Sequence, residues 1–439
     1  MSDKKISQLT SLDGMTVAAG DLIPVVDVSE TGIARSKKIT MSDLSLYVNN
    51  TDSYSFSWDS ATSSPAAVSG GPLSPQVSPI HAAMRRCVVN DAGVVQYYLD
   101  SINSALKEDG SAAVLDGTDG QVMVEIPKFY ARRSKTGTVT TWSISSSQLT
   151  GFDLHPAFIK DGVEVSHRYL GAYDACYWDD SASAYASGLN LDALTVDTAN
   201  DKLASVSGVY PIVGVTRSTA RSLASNRGAG WRLADFWLIQ AVQMLYLVEY
   251  QTFYSQDVLG AGNTSGSYIG SSSNQADSPH TIAGASNAWG NYSTDGTQPS
   301  AGAKPGTAYM SYRGIENFFG NCWSLIDGFN IDTNQAYVSN TESHFADDTS
   351  TNYTSLGSAM PASNGYPTNH QDIDHAWLPA SVGGSSTTYW TDYYYQSSGW
   401  RVARFGGSAD GGATAGAFYW HLSAASSDRA RNIGARLAR

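Results

Sequence analysis

The sequence is poor in cysteine and in charged residues, and it lacks long apolar runs. Its 439 residues include only 3 cysteines, too few and too scattered for a disulfide framework or a cysteine-based zinc site. Charged residues make up 15% of the chain, against about 25% in an average soluble protein. Because no run of about 18 apolar residues occurs, we expect no membrane-spanning helix, and no apolar N-terminal stretch predicts a standard secretory signal.

Sequence signatures of catalysis and of cofactor binding are also missing. The chain has no GxSxG, P-loop, dinucleotide-binding or HExxH motif. The acidic pairs Asp179–Asp180 and Asp347–Asp348 consist of adjacent residues, whose side chains point in different directions on a strand and form no ready acid–base dyad. A glycan depolymerase stays open as an alternative, because glycosidase carboxylates need not be adjacent in sequence. We predict that the protein is not an enzyme and uses no cofactor.

The nearest approach to a metal-ligand cluster is the segment from His370 to His375, with Asp372 and Asp374 between the two histidines. These residues lie in a polar stretch with no helical pattern that would align their side chains. We expect a solvated loop here, with metal binding as the alternative. The sequence therefore predicts no metal site.

Tyrosine, tryptophan and glycine are abundant, and the charge is unevenly distributed. The chain has 41 glycines, 25 tyrosines, 11 tryptophans and a formal net charge of −13, which argues against a protein that binds nucleic acid by neutralising phosphates. Residues 251–400 contain 12 acidic and 2 basic residues, whereas residues 401–439 contain 6 arginines and 2 aspartates. Since 42% of residues are hydrophobic, a real core can form. This composition indicates a β-rich binding protein with an exposed contact surface.

The chain divides into three regions by composition. Residues 1–50 contain a predicted strand over 22–28 and a predicted short helix over 44–48, a module too small to be stable alone. Residues 51–84 are rich in serine, proline and glycine and are typical of a connector. Residues 85–439 are predicted to form one α+β domain with few helices and long loops. We expect a hairpin around Asp91–Gly93 and a helix over 233–250 within it.

Four segments of the third region together resemble one family. They are Gly230–Asp235, Tyr312–Trp323 (YRGIENFFGNCW), Gly399–Ser408 and Ala415–Leu437. In their order and spacing they are similar to the C-type lectin fold in its formylglycine-generating-enzyme-like branch. More closely, they resemble the variable proteins of diversity-generating retroelements and related phage receptor-binding proteins. Separately, the N-terminal sequence KISQLTSL…GDLIPVVDVSE…SKKITMSDLSLYV is similar to the opening segments of phage tail-fibre proteins.

The two resemblances imply a bacteriophage tail-fibre or tail-tip adhesin. Its C-type lectin fold with long loops would bind a receptor, protein or glycan, on the host bacterial surface, and a retroelement could diversify that domain. Residues 1–50 would be a virion-anchoring and oligomerisation module that contacts other tail proteins. The expected assembly is a homotrimer in the phage tail of the virion, acting outside the host cell, with no nucleic-acid or membrane partner. A structural virion or decoration protein without receptor binding is the alternative.

The family pattern also implies roles for individual residues. Its constant frame matches Gly406, Gly407, Gly416, Asn432, Gly434 and Arg436, with Arg436 expected to anchor the terminal strand. The receptor-binding set that it implies is Tyr394, Tyr395, Trp400, Arg401, Arg404, Phe405, Ser408, Asp410, Tyr419, Trp420, His421, Arg429 and Arg431. Tyrosine, tryptophan and arginine suit such a surface because they offer large contact area and hydrogen bonds at low entropic cost. We expect Tyr394, Tyr419, Trp420 and Arg404 to be exposed; the alternative is that about half of the set is core.

Two departures from the relatives limit what the resemblance implies. No cysteine follows Cys322, so the redox cysteine pair of formylglycine-generating enzymes is missing. The calcium-dependent sugar motifs of animal lectins are missing as well, so a lectin fold would not imply calcium-mediated sugar binding. Asn321 lies in a motif that binds a structural ion in some relatives, and an ion there stays an alternative.

Overall fold

The computed structural model describes residues 22–26, 36–40, 53–68, 78–186, 195–268, 279–297 and 308–439. The chain forms two compact units, Met1–Ser53 and Tyr54–Arg439.

In the first unit, the described residues form one antiparallel pair of strands. Strand β1 (Leu22–Val26) pairs with β2 (Ser36–Thr40), and Leu22 lies opposite Thr40. The predicted strand is thus confirmed over Leu22–Val26. The predicted helix over 44–48 lies outside the described residues.

The second unit is built mostly from strands. In chain order the first of them are β3 (Ser53–Asp59), β4 (Arg85–Val89), β5 (Val95–Tyr98), β6 (Gln121–Pro127), β7 (Tyr130–Thr136), β8 (Val139–Ser145), β9 (Asp153–Leu154), β10 (Ile159–Lys160), β11 (Val163–Glu164) and β12 (His167–Gly171). The next are β13 (Cys176–Asp179), β14 (Ala184–Tyr185), β15 (Lys202–Ala204), β16 (Arg232–Leu233), β17 (Thr294–Thr297), β18 (Ala308–Tyr312), β19 (Ile315–Glu316), β20 (Trp323–Asp332) and β21 (Gln335–Val338). The last are β22 (Thr354–Leu356), β23 (Pro367–His370), β24 (Pro379–Val382), β25 (Tyr394–Gln396), β26 (Trp400–Phe405), β27 (Trp420–Ala424), β28 (Ile433–Ala435) and β29 (Leu437–Ala438).

Helices are few, and three sheets carry most of the architecture. The helices are α1 (Pro79–Ala82), α2 (Arg217–Ser225), α3 (Phe236–Tyr250) and α4 (Ser255–Leu259). A six-stranded sheet has the order β16-β29-β12-β6-β4-β5 and a four-stranded sheet the order β3-β8-β7-β9. A seven-stranded sheet has the order β22-β21-β20-β26-β27-β25, with β28 parallel to β20. Strands account for 36% of the residues and helices for 13%, so the predicted mixed α and β class with few helices is confirmed.

Helix α3 forms the centre of the core. Asp235 caps its N-terminus by accepting the Leu238 backbone N–H at 3.0 Å. The predicted apolar face is in fact a helix enclosed on all sides, since every residue except Tyr250 is buried. The two buried glutamines of the helix each make one hydrogen bond: Gln243 donates to the Ala417 carbonyl oxygen at 2.7 Å, and Gln240 accepts the Trp377 backbone N–H at 2.9 Å. Within the described residues no helix is both long enough and apolar enough to cross a membrane.

The segment predicted as a connector is partly core. Strand β3 pairs with β8, and the Phe56 and Trp58 side chains on it are fully buried. The Phe56 ring packs edge-on against Phe253 at 5.4 Å between centroids. Serines alternate with these aromatic residues, so the serine-rich composition obscured a strand whose alternate side chains point inward. The connector prediction for 51–84 is therefore wrong for Ser53–Asp59, while residues 69–77 lie outside the described part.

Candidate functional site

The C-terminal strands of the seven-stranded sheet separate the predicted receptor-binding residues onto two faces. Strand β25 runs parallel to β27, with Tyr395 opposite His421. Strand β26 runs antiparallel to β27, with Arg404 opposite His421. Because successive side chains on a strand point to opposite faces, Tyr395, Arg404 and His421 share the outer face.

The inner face of these strands belongs to the hydrophobic core. Tyr394, Phe405 and Trp420 are 1%, 2% and 1% exposed. The Trp420 ring packs against Phe236 of α3 at 5.5 Å and against Phe405 at 5.2 Å. The expectation that Tyr394 and Trp420 are exposed is wrong, since the strand register turns both toward α3. Phe405 is likewise a core residue rather than a contact residue.

Two further members of the predicted set are buried outside this core face. Ser408 is 2% exposed and donates to the Asp410 carboxylate at 2.6 Å, so it shapes a turn instead of meeting a ligand. Tyr419 is 6% exposed, against the expectation, because its ring lies edge-on to Trp323 at 4.7 Å and to Tyr393 at 6.0 Å. It supports the outer surface from below.

The outer face carries a continuous array of rings around one arginine, which we call the aromatic–arginine surface. Its members are Trp323, Tyr393, Tyr395, Arg404, Tyr419 and His421. The Tyr395 ring is 38% exposed and stacks on His421 at 4.7 Å with an interplanar angle of 18°. The His421 ring in turn lies 5.0 Å from Trp323. Such a rigid, partly exposed aromatic surface is typical of binding sites.

The Arg404 guanidinium lies within this array. Its Nη2 donates to Nδ1 of His421 at 3.0 Å, and its Cζ lies 5.6 Å from the centre of the Trp323 ring. Its Nε is buried without a hydrogen-bond partner. Burial lowers the pKa of Arg404, and the charge of Asp428 acts against that shift. Among the described residues, Arg404 forms no salt bridge.

His421 is neutral at physiological pH. Burial, reinforced by the neighbouring Arg404 charge, lowers its pKa to about 3. A neutral imidazole has one nitrogen that accepts, and the Arg404 N–H group meets such a nitrogen. His421 therefore orients Arg404 without adding charge.

The other end of β26 carries Trp400 and Arg401, which are both half-buried. The Trp400 ring lies 5.4 Å from Tyr337. Arg401 donates from Nη1 to the Trp400 carbonyl oxygen at 2.9 Å, and its Nε has no partner. Because they are adjacent on the strand, their side chains point to opposite faces, and only Trp400 has the same alternation as Arg404.

The last predicted residues lie in loops. Asp410 and Arg429 are exposed, and Arg431 is half-buried with its guanidinium carbon 4.5 Å from the centre of the Tyr268 ring. Sequence reasoning missed Trp323 and Tyr393 as members of the surface. Trp323 closes the YRGIENFFGNCW motif and Tyr393 opens the Tyr393–Tyr395 run, so both stood beside residues already singled out.

No protein-family model matches the chain, and no curated protein matches it either.

The frame behind the surface is a buried polar network around Arg436. Its guanidinium pairs with Asp174 at 2.5 Å and donates to the carbonyl oxygens of Gly171 at 3.0 Å and of Glu316 and Asn317 at 2.8 Å. Arg436 thus ties the C-terminal strands to two other parts of the chain, residues 171–174 and 316–317, as expected for an anchor. Charge-assisted contacts of this kind hold geometry strongly.

Asn321 completes the same network. Its Oδ1 accepts from Nδ2 of Asn263 and from the Thr281 backbone N–H, both at 2.8 Å, and its Nδ2 donates to Asp174 at 2.8 Å. All three contacts are internal, so the side chain acts as a structural link. No group of three or more metal-ligating side chains suited to a metal ion occurs among the described residues.

The frame residue Gly416 is required by a close approach. A Cβ at this position would lie 2.0 Å from Oδ1 of Asp392. The buried Asp392 accepts the Phe418 backbone N–H at 2.8 Å, and burial raises the pKa of its carboxyl to about 8. Any side chain at 416 would displace this carboxyl and the strand that it holds.

The histidine–aspartate segment has a structural arrangement rather than that of a solvated loop. His370 is 3% exposed, and its ring lies 4.7 Å from Trp142. Asp372 pairs with Lys135 at 3.0 Å and also with Arg133. The expectation of a solvated loop is wrong for His370, because the segment folds back onto strands β7 and β8.

Proposed function

We propose that the protein is a binding protein without catalytic activity: a bacteriophage tail-fibre or tail-tip adhesin that contacts a receptor on the host bacterial surface. The contact would be made by the aromatic–arginine surface. The observation that carries the proposal is the grouping of Tyr395, His421 and Arg404 on one outer sheet face. The family resemblance assigns these same positions to receptor contact.

The physical character of the surface supports binding. It is carried by paired strands, and sites on regular elements hold their side chains more rigidly than sites on loops. The exposed Tyr395 ring rests on His421, so little side-chain freedom is lost when a ligand covers it. The underlying frame at Arg436 keeps the strands in register.

The proposal includes a C-type lectin fold for the globular region and a virion-anchoring role for residues 1–50. It also includes assembly as a homotrimer in the phage tail. The mixed, strand-rich architecture with long connecting segments and few helices is compatible with that fold.

A structural virion protein is the second candidate, and one observation favours it. Five of the thirteen predicted contact residues are buried: Tyr394, Phe405, Ser408, Tyr419 and Trp420. Much of the aromatic side-chain area that the resemblance placed at the surface therefore lies in the core. The exposed area available for contact with a receptor is smaller than the resemblance implied.

Binding of the labelled full chain to intact bacterial cells tests the two candidates. We expect binding to at least one strain in a panel of Gram-negative and Gram-positive cells. Tyr395→Ala should lower the bound fraction about tenfold, because an exposed aromatic anchor is worth about 1–2 kcal/mol at an interface. Tyr292→Ala is the matched control, since Tyr292 is 48% exposed and lies outside the aromatic–arginine surface.

Absence of binding to every strain, with soluble folded protein, would favour the structural candidate. Equal loss of binding in both variants would remove the aromatic–arginine surface as the contact site.

A further inference from the structure

We infer that the aromatic–arginine surface recognises an anionic group on a sugar, a carboxylate or a phosphate of a cell-surface glycan, with Arg404 as its ion-pair partner. The inference rests on the proposed function and specifies the ligand chemistry of the same surface. It starts from the hydrogen-bonding state of Arg404 rather than from the resemblance.

Within the described residues, Arg404 has N–H donors that make no hydrogen bond. A guanidinium carries five N–H donors, and among the described residues only Nη2 of Arg404 has a hydrogen-bond partner, the His421 ring. Its Nε is buried yet unpaired. A partly desolvated cation with unused donors costs folding free energy, which an arriving anion would recover.

Apart from Arg86, the buried arginines in the described part of the chain are each paired with an acid. Arg168 meets Asp235 at 2.7 Å, and Arg313 meets Glu249 at 2.6 Å. Further pairs are Arg221–Asp327 at 2.5 Å and Arg436–Asp174 at 2.5 Å. The fold thus supplies carboxylates to guanidinium groups that serve structure.

Arg86 shows how the fold treats a buried arginine that lacks a salt bridge. Each of its guanidinium nitrogens donates to the protein: Nε to the Gly314 carbonyl oxygen, Nη1 to Ser104 and Asn287, and Nη2 to Ser286. Arg404 has no such enclosure. Arg133, Arg217 and Arg232 also have an Nε without a hydrogen-bond partner, but each of them pairs with a carboxylate. Within the described residues, the lack of both an enclosure and an acidic partner is what distinguishes Arg404.

The neighbours of Arg404 leave its positive charge available. His421 is neutral, because its pKa is about 3. Asp428 is exposed and acts on Arg404 only through its charge. In a chain with a net charge of −13, the positive charge of Arg404 directs an anion to one place.

The rings explain why the anion would be part of a sugar. The Tyr395 ring lies nearly parallel to His421 and is exposed, which offers a flat apolar platform beside a cation. The C–H face of a pyranose ring packs on such a platform while its acidic substituent reaches Arg404. A free inorganic anion would use the arginine but not the platform.

Titration of the full chain with three soluble glycans tests the inference. The probes are trigalacturonate, mannose 6-phosphate and the neutral galactose trisaccharide, with isothermal titration calorimetry as the readout. We expect one of the two anionic probes to bind, and which one binds distinguishes a carboxylate from a phosphate source. The neutral trisaccharide should bind at least about tenfold more weakly, as expected for the loss of one charge-assisted pair.

Variants then locate the binding. Arg404→Gln should weaken the anionic probe about tenfold or more, and Arg404→Lys should keep part of the affinity because it keeps the charge. Arg132→Gln is the matched control, since it removes the same charge from an exposed position on β7, outside the predicted receptor-binding set. Thermal unfolding of each variant checks that the fold is retained.

The outcomes separate the inference from the proposed function. Absence of binding by both anionic probes, equal binding of the neutral probe, or equal effects of Arg404→Gln and Arg132→Gln would each overturn the inference. If wild-type protein binds cells and Arg404→Gln binds them equally well, the adhesin stands and the anionic ligand does not. If no cells are bound at all, it is the adhesin that fails.

Discussion

At the scale of single residues, arginines in this protein have two different roles. Arg436 is enclosed by the chain and neutralised by Asp174, and its remaining donors meet backbone carbonyl oxygens. Among the described residues, Arg404 has one neutral partner, His421, and a buried Nε without a hydrogen-bond partner. The Arg436 arrangement fixes the geometry of the strands, whereas the Arg404 arrangement leaves a guanidinium group that can bind a ligand.

Replacement of Arg436 by methionine should destabilise the protein strongly. Removal of one member of a buried ion pair leaves the other charge uncompensated, so we expect Arg436→Met to lower the free energy of unfolding by about 3–5 kcal/mol. Urea unfolding followed by tryptophan fluorescence measures the change. Arg429→Met, at an exposed position, should stay within about 0.5 kcal/mol of wild type. Similar stability of the two variants would mean that the Arg436 network is not the anchor.

At the scale of elements, neighbouring residues on strands β25 and β27 have different roles: one packs in the core, and the next lies on the outer face. Tyr394 pairs across the ladder with Trp420, and both point into the core. One residue further along each strand, Tyr395 lies opposite His421 on the outer face. A two-residue period therefore decides which aromatic side chains stabilise the fold and which are open to a ligand.

Two substitutions on these strands should separate stability from binding. Trp420→Ala should cost about 3–5 kcal/mol of unfolding free energy, because it leaves a cavity against Phe236 and Phe405. Tyr395→Ala should cost at most about 1 kcal/mol while abolishing most cell binding. Urea unfolding and the cell-binding assay together check this pattern. A large stability loss for Tyr395→Ala would place its ring in the core.

At the scale of the whole molecule, histidines buried in the neutral state make the fold sensitive to acid. Burial lowers the pKa of His280 to about 3 and that of His370 to about 4. The unfolded chain, in which histidine titrates near about 6.5, binds more protons than the folded one between these values. The stabilisation is fully present above the unfolded pKa and is lost as the pH falls through the folded pKa.

We therefore expect the free energy of unfolding to decrease as the pH falls from about 6.5 to about 4, with His370 accounting for about 3 kcal/mol of that change. His370→Asn keeps a donor for the Gln371 carbonyl oxygen, which Nδ1 of His370 contacts at 2.8 Å, but it does not titrate. Urea unfolding at a series of pH values should show a shallower decrease for this variant. Parallel curves for wild type and variant would contradict the assignment.

Local patterns were sufficient to predict several parts of the fold. The hairpin around Asp91–Gly93 appears as β4 and β5, because Gly93 adopts a φ of 81°, which glycine tolerates without strain. Helix α3 begins at Phe236, three residues after the predicted start, where the Asp235 side chain caps it. The expected anchor at Arg436 also lies in a buried network. Each of these features depends on neighbours in sequence or on residue chemistry.

The sequence by itself determined the mixed, strand-rich class, the central helix and the residue types available near the C-terminus. Only the tertiary structure decided which of those residues are exposed and can contact a ligand. The register of β25, β26 and β27 turned Tyr394 and Trp420 inward, and long-range pairing brought β3 into the core. Among the described residues, the distribution of acids across the fold left Arg404 without a carboxylate partner. The physical reason is common to all three: burial and charge pairing are properties of residues distant in sequence, and a local pattern carries no information about the partner.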